Sequence, residues 1–174
     1  MPADLEAKIR DIPDFPTPGI VFKDITPLLA DPEALREAVD RIAEWAAPRK
    51  PDYILGAEAR GFILGAALAY RLGCGFVLAR RPGKLPAETL GVGYALEYGE
   101  NRLEIHADAF GNGARVLVHD DLLATGGTTE AIVKLVEQLG ATVVGLAFVI
   151  ELEFLHGRDK LPGQDVFSLI TYSS

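Results

Sequence analysis

A chain of 174 residues, 49% apolar and 24% charged, has the composition of one globular domain and is too short for two large cores. Its net charge of −8 and pI near 4.9 oppose phosphate backbones and anionic lipid surfaces, so neither nucleic acid nor membrane is an expected partner. One cysteine, Cys74, excludes an internal disulfide and, between two glycines, reads as a small buried side chain rather than a catalytic thiol.

The first ten residues are charged and lack an apolar signal core. The apolar runs 62–70 and 141–150 are too short and too Gly-interrupted to span a bilayer, so the expected location is the cytoplasm. Residues 11–19 carry prolines at 13, 16 and 18, which block helix and predict an extended path. Asp31-Pro32-Glu33 then supplies a helix cap, a first-turn proline and an acid. Leu35, Val39, Ile42 and Ala46 continue at helical spacing until Pro48.

Tyr53 to Gly56 reads as a short strand, followed by the turn Ala57-Glu58-Ala59-Arg60 and a helix from Gly61 to about Leu72. Further strands are expected at 76–79, 115–119 and 142–150, with a helix over 126–139 and a last strand at 166–171 that closes the sheet. The strands are continuous apolar runs alternating with helices. That pattern predicts an α/β fold, a parallel sheet covered by helices on both faces. Ligands of such sheets sit outside the carboxyl ends of the strands. Between Arg80 and Asn112, glycines and prolines recur too often for a strand–helix unit, and a stretch of this length predicts a lid or small subdomain. Leu96 and Tyr98, then Leu103 and Ile105, alternate with polar residues as a hairpin would.

The most informative run is Val116-Leu117-Val118-His119-Asp120-Asp121-Leu122-Leu123-Ala124-Thr125-Gly126-Gly127-Thr128-Thr129. A buried strand is expected to end in two carboxylates, followed by a loop in which two glycines open a helix. Curled main-chain N–H groups, the helix dipole and the threonine hydroxyls form a nest for one phosphate. No lysine lies in the loop, so it is not the Gly-x-x-x-x-Gly-Lys nucleotide loop. Two acceptor-only carboxylates beside an anion site suit the neighbouring hydroxyls of a ribose. A helix cap would explain the threonines and a glycine, but not two acids and two glycines together.

This segment resembles the signature of the type I phosphoribosyltransferases, which take 5-phosphoribosyl 1-pyrophosphate as donor. The resemblance implies that Ala124, Thr125, Gly126, Gly127 and Thr128 hold the 5′-phosphate while Asp120 and Asp121 bind the ribose hydroxyls and offset charge at the transition state. It makes Ala57, Glu58 and Arg60 part of a pyrophosphate loop, joined by Arg80, Arg81 and Lys84. It implies Mg²⁺ as cofactor, held mainly by the substrate rather than by a protein metal site, with a water-mediated link to Asp120 or Asp121 left open.

Residues 14–27, 83–86, 96–99, 120–128, 151–152 and 157–158 together resemble the adenine-using branch of that family. The implied reaction makes AMP and pyrophosphate from adenine and the donor. Main-chain groups of Val21 and Lys23 would read the adenine edge, Phe22 and Leu152 would sandwich its ring, and Glu97 would manage its proton. His106 and His119 read as structural, with His119 placed to orient the acidic pair. The expected organisation is a single domain over 1–174, with a small hood over about 1–30 and a lid over about 81–105, assembled as a homodimer. An enzyme for another purine such as xanthine, or a non-catalytic sensor on the same fold, is the alternative; a sensor would carry a basic DNA-binding appendage, for which this acidic chain has no room.

Overall fold

The computed structural model describes residues 4–96 and 99–174. Glu97 and Tyr98 lie outside the described residues.

Five strands form the central sheet: β3 (Tyr53–Ala57), β4 (Gly75–Ala79), β7 (Arg115–Leu123), β8 (Thr142–Leu152) and β9 (Val166–Tyr172). Their order is β4-β3-β7-β8-β9 and every pairing is parallel. Helices α1 (Thr26–Ala30), α2 (Pro32–Ala46), α3 (Gly61–Leu72) and α4 (Gly127–Gln138) complete the layers. Two antiparallel hairpins flank them, β1 (Arg10–Pro13) with β2 (Val21–Asp24), and β5 (Thr89–Leu96) with β6 (Gly99–His106).

The apolar runs in the strands have a direct cause. Ile54, Leu117, Ala147 and Val149 pack with α2 and α3 on one face. Leu55, Val116, Val118, Leu146 and Phe148 pack with α4 and with Leu103 and Ile105 of β6 on the other. Alternate side chains point to opposite faces, and both faces are covered, so no polar residue is needed in the middle of a strand. The α2 start follows its sequence: the Asp31 carboxylate accepts from the main-chain N–H groups of Glu33 and Ala34 at 2.9 and 3.1 Å.

Three expectations change. Strand β7 does not stop at the acidic pair. It continues to Leu123, because Leu122 and Leu123 pair with Ile150 and Glu151 of β8. Residues 11–19 are extended only to Pro13. Asp14 adopts a left-handed conformation, φ 55°, its carboxylate accepts from the Gly19 N–H at 2.9 Å, and the chain turns back into β2. Proline excludes helix but does not forbid a turn. The Gly-rich excursion is a hairpin that begins at Thr89, well before Leu96. Main-chain bonds in both directions between Arg80 and Glu104, 2.9 and 2.8 Å, join its second strand to the end of β4.

Phe148 is the largest of the fully buried side chains. Phe148→Ala should therefore cost about 3–5 kcal/mol, read from the urea midpoint at constant slope. A loss under about 1 kcal/mol would mean that the α4 face collapses around the gap.

Candidate active site

The carboxyl ends of β3 and β7 open into two adjoining clefts. One, of about 380 Å³, is lined by Ala57 to Arg60, Arg81, Asp120, Asp121 and Thr128, with Tyr94, Asn101 and Leu103 of the β5–β6 hairpin. The other, of about 180 Å³, is lined by Arg60 and the continuous run from Asp120 to Thr129. A larger hollow of about 590 Å³ lies at the opposite end of the sheet, lined by Asp52, Tyr53, Gly75 and residues 111–114, with Asp52 its one charged group.

The phosphate-loop residues Ala124 to Thr128 fall together as a turn into α4. Gly126 has φ 89°, a conformation that glycine adopts without strain, and it is the residue just before the helix. The hydroxyl of Thr128 donates to the Tyr94 hydroxyl at 3.2 Å, which also accepts from Asn101 Nδ2 at 3.1 Å. The hairpin thus rests on the loop. Tyr94 and Asn101 carried no local signal in the sequence, since they lie 34 and 27 residues from Thr128.

Asp120 accepts the main-chain N–H of Asp121 at 2.8 Å. Burial, then the neighbouring Asp121 charge, push the Asp120 carboxyl well above the usual carboxylate range. Asp121 pairs with Arg60 Nε. The Arg60 guanidinium lies 5.1 Å from the Phe22 ring centroid, so one cation touches both the acidic pair and the hood.

Glu58 is the counterion of Arg80 and Arg81. Its carboxylate accepts from Arg80 Nε at 3.0 Å, from the Arg81 N–H at 2.8 Å and from Arg81 Nε at 2.9 Å. Burial alone would raise its pKa; the Arg81 main-chain and side-chain bonds, with Arg80, reverse that and hold it below the ordinary value. Each guanidinium is bound there through Nε; Arg81 lines the cleft of about 380 Å³, while Arg80 lines neither cleft and lies 6.0 Å from the Phe62 ring centroid. Lys84 is exposed in the loop beyond Gly83 and lines neither cleft.

The base-site candidates line neither cleft; Phe22 meets Arg60, which lines both. Phe22 packs edge-on against Phe15 at 5.2 Å. Lys23 Nζ is bound to Asp11 at 2.8 Å and sits 4.0 Å from the Tyr172 ring centroid, so its side chain is engaged. Val21 and Lys23 are two residues apart on β2, so their main-chain groups share an edge. Leu152 ends β8, half-buried and in register with Tyr172. Glu97 lies outside the described residues. Among those described, no cluster of three metal-ligating side chains occurs.

His119 is fully buried, and its Nδ1 lies 3.0 Å from the Ala147 carbonyl. A carbonyl only accepts, so Nδ1 carries the proton. It makes no hydrogen bond to the acidic pair, against the expectation that it orients them. His106 accepts the Ala87 N–H at 3.4 Å, a loop contact.

The sheet order, the turn into α4, the acidic pair and the arginine-lined cleft define a phosphoribosyl-transfer domain. The family model described as a phosphoribosyl transferase domain matches residues 28–168. The chain belongs to the adenine phosphoribosyltransferase family of glycosyltransferase-type enzymes. It is 57% identical over 169 residues to the adenine phosphoribosyltransferase of Synechococcus sp., covering 97% of this chain and 99% of that one. The crystal structure of the adenine phosphoribosyltransferase from Thermoanaerobacter pseudethanolicus is similar with a TM-score of 0.95 at 56% identity, covering 97% of this chain and 98% of that one. The Saccharomyces cerevisiae enzyme, complexed with an imino-altritol bisphosphate and adenine, is similar with a TM-score of 0.92 at 40% identity, covering 95% and 96%.

Burial lowers the His119 pKa from 6.5 to about 4, against the opposing pull of Asp121 and the Ala147 carbonyl. The unfolded chain takes up this proton below pH 6.5 and the folded chain only near pH 4. Stability is therefore complete above 6.5 and falls as pH drops, by about 2 kcal/mol at pH 5. Asp120, with its raised pKa, has the opposite sign: its contribution is present at low pH and lost as pH rises. Comparing His119→Gln with the wild type isolates the histidine. The pH 7 to pH 5 loss in urea unfolding should shrink in the variant, and an equal loss in both would assign it elsewhere.

Proposed function

We propose that this chain joins adenine to 5-phosphoribosyl 1-pyrophosphate, giving AMP and pyrophosphate. The observation that carries the reading is the placement of the Ala124–Thr128 loop directly after Asp120 and Asp121 and against the cleft lined by Arg60 and Arg81. The loop cradles the 5′-phosphate with main-chain N–H groups and the Thr125 and Thr128 hydroxyls. Asp120 and Asp121 accept the ribose hydroxyls. Ala57, Glu58, Arg60, Arg80, Arg81 and Lys84 surround the pyrophosphate, with Glu58 fixing the two arginines rather than touching the anion.

In the reaction the C1′–O bond to pyrophosphate breaks, N9 of adenine bonds C1′, and the base loses a proton. The sugar gains positive charge on the way. Carboxylates already fixed beneath it stabilise that charge without reorganising, and the arginines stabilise the departing anion. When bound with the donor, magnesium would add charge neutralisation at the pyrophosphate, and Asp120 or Asp121 would reach it only through water.

Adenine lies against β2. Val21 and Lys23 offer main-chain donors and acceptors to its edge, and Phe22 and Leu152 hold its faces. A 6-oxo purine presents the reverse polarity and leaves those groups unpaired. Adenine in the Saccharomyces cerevisiae complex supports the assignment. The β5–β6 hairpin, joined to Thr128 through Tyr94, is the lid, and its closure desolvates Glu97, which manages the base proton, most simply at N7.

Among the described residues, no helix is long and apolar enough to cross a membrane. The reading includes cytoplasmic action and a homodimer. Ile63, Tyr70 and Leu78, exposed by 48%, 92% and 39% on α3 and β4, support an association surface, which sedimentation velocity reads directly.

The deciding experiment is nucleotide formation from the donor with adenine, hypoxanthine, guanine or xanthine, with and without EDTA. Turnover with adenine and Mg²⁺ alone is expected, and EDTA should stop turnover without weakening AMP binding. Turnover only with another base would discard the roles of Val21 and Lys23 and keep the phosphate and ribose assignments. Tight donor binding without turnover would make the chain a sensor. Glu97→Gln should lower kcat about 10²–10⁴-fold, and near-normal turnover would retire Glu97 as the proton-handling group.

A further inference from the structure

The loop that cradles the phosphate has no cation of its own. Residues 124–129 are Ala, Thr, Gly, Gly, Thr and Thr, and the strand before them carries two carboxylates. Arg60, the nearest guanidinium, is already paired with Asp121. Main-chain dipoles favour an anion here, yet a phosphate dianion beside two carboxylates is repelled unless a full positive charge stands close by.

Lys160 stands there, 33 residues further along the chain than Gly127. Its Nζ lies 3.9 Å from the point that a Cβ on Gly127 would occupy, while the Tyr94 ring closes the same space at 3.5 Å. The side chain is exposed and takes part in none of the ion pairs found among the described residues. Lys50 and Lys84 also lack an ion pair among the described residues, but of these three ammonium groups it is Lys160 that sits over the start of α4.

Its position is set by the fold rather than by its own flexible stem. The short helical turn Gly157–Lys160 lies close against the phosphate loop, mainly through main chain, with the Leu123 side chain also beside Gly157. A Cβ on Gly126 would meet the Gly157 carbonyl oxygen at 2.5 Å, and one on Gly157 would meet that of Ala124 at 2.6 Å. Behind the turn, buried Glu151 accepts from Arg158 Nε and Nη2 at 2.8 Å each, and from the Ser168 hydroxyl at 2.8 Å. Leu161, 4% exposed, fixes the next residue in the core beside α4. Lys160 is held between these two anchors. A two-pronged ion pair on a buried carboxylate costs desolvation that a solvated surface lysine does not require.

We infer that Lys160 is a further phosphate-binding residue. Its ammonium contacts the 5′-phosphate of the donor and of the nucleotide product, supplying the charge that the loop lacks, and the Glu151–Arg158 pair holds the turn that presents it. The inference rests on the proposed function, since it assumes that a 5′-phosphate occupies the loop.

Calorimetric titration of AMP, ribose 5-phosphate and adenosine into the wild type, Lys160→Gln and Lys160→Arg tests it. Loss of one charge-assisted bond should weaken AMP and ribose 5-phosphate about 10–100-fold in Lys160→Gln and leave adenosine unchanged. Lys160→Arg should retain most of the affinity. Phosphate-ligand binding within about twofold of wild type in Lys160→Gln would overturn the inference and leave the proposed function standing. Equal weakening of adenosine would also overturn it, by showing damage that is not specific to phosphate. A wild type that binds neither phosphate ligand would remove the proposed function and the inference with it.

Discussion

Two carboxylates side by side at the end of a central strand set the terms for everything around them. Asp120 and Asp121 lie at the carboxyl end of β7, where the sheet offers an anion site, and like charges there repel both each other and the ligand. The surroundings answer that repulsion. Arg60 takes Asp121, the Asp121 N–H takes Asp120, and the loop that follows turns its donors toward the same space. Without this compensation the strand could not carry both acids next to a core as apolar as Val116, Leu117 and Val118.

Glu58 solves a second charge problem. Two arginines at the end of β4 would repel one another and wander; one nearly buried carboxylate gathers both, and Arg81 lines the cleft. Positive charge in the site is thereby arranged by fixed acidic partners, consistent with a chain whose net charge is strongly negative.

The layered fold was legible because both faces of the sheet are covered. Runs such as Tyr53 to Leu55 and Val116 to Val118 could only be central strands, and Asp31-Pro32 marked the start of α2 to the residue. The acidic pair, the glycines and the threonines were legible for a related reason, since local backbone chemistry needs those residue types at those spacings. What escaped depends on distance along the chain. Nothing near Glu58 indicated that its partners would be Arg80 and Arg81, and nothing near Thr128 pointed to Tyr94. The extension of β7 through Asp120 and Asp121 was hidden because acids resemble a strand's end, although pairing with β8 carries them. Recognition of a base through main-chain groups would leave no side-chain signature, so only the family resemblance points to Val21 and Lys23.

The two halves of the site are built on supports of unequal strength. The residues proposed for ribose and phosphate belong to β7 and α4, which pack into one buried cluster and so belong with the most protected part of the domain. Val21, Phe22 and Lys23, three of the four residues proposed to face the base, belong to a two-stranded ribbon, a unit that is marginal on its own and is tied down here by Lys23 against Tyr172 and by Phe22 beneath Arg60, while Leu152 stands on β8. On the proposed assignment, a molecule whose ribbon has frayed would keep its grip on the sugar phosphate and forfeit only the base. On the same assignment, the donor would meet the part of the site built into the sheet, and the base would meet a part completed by the same arginine that faces the donor.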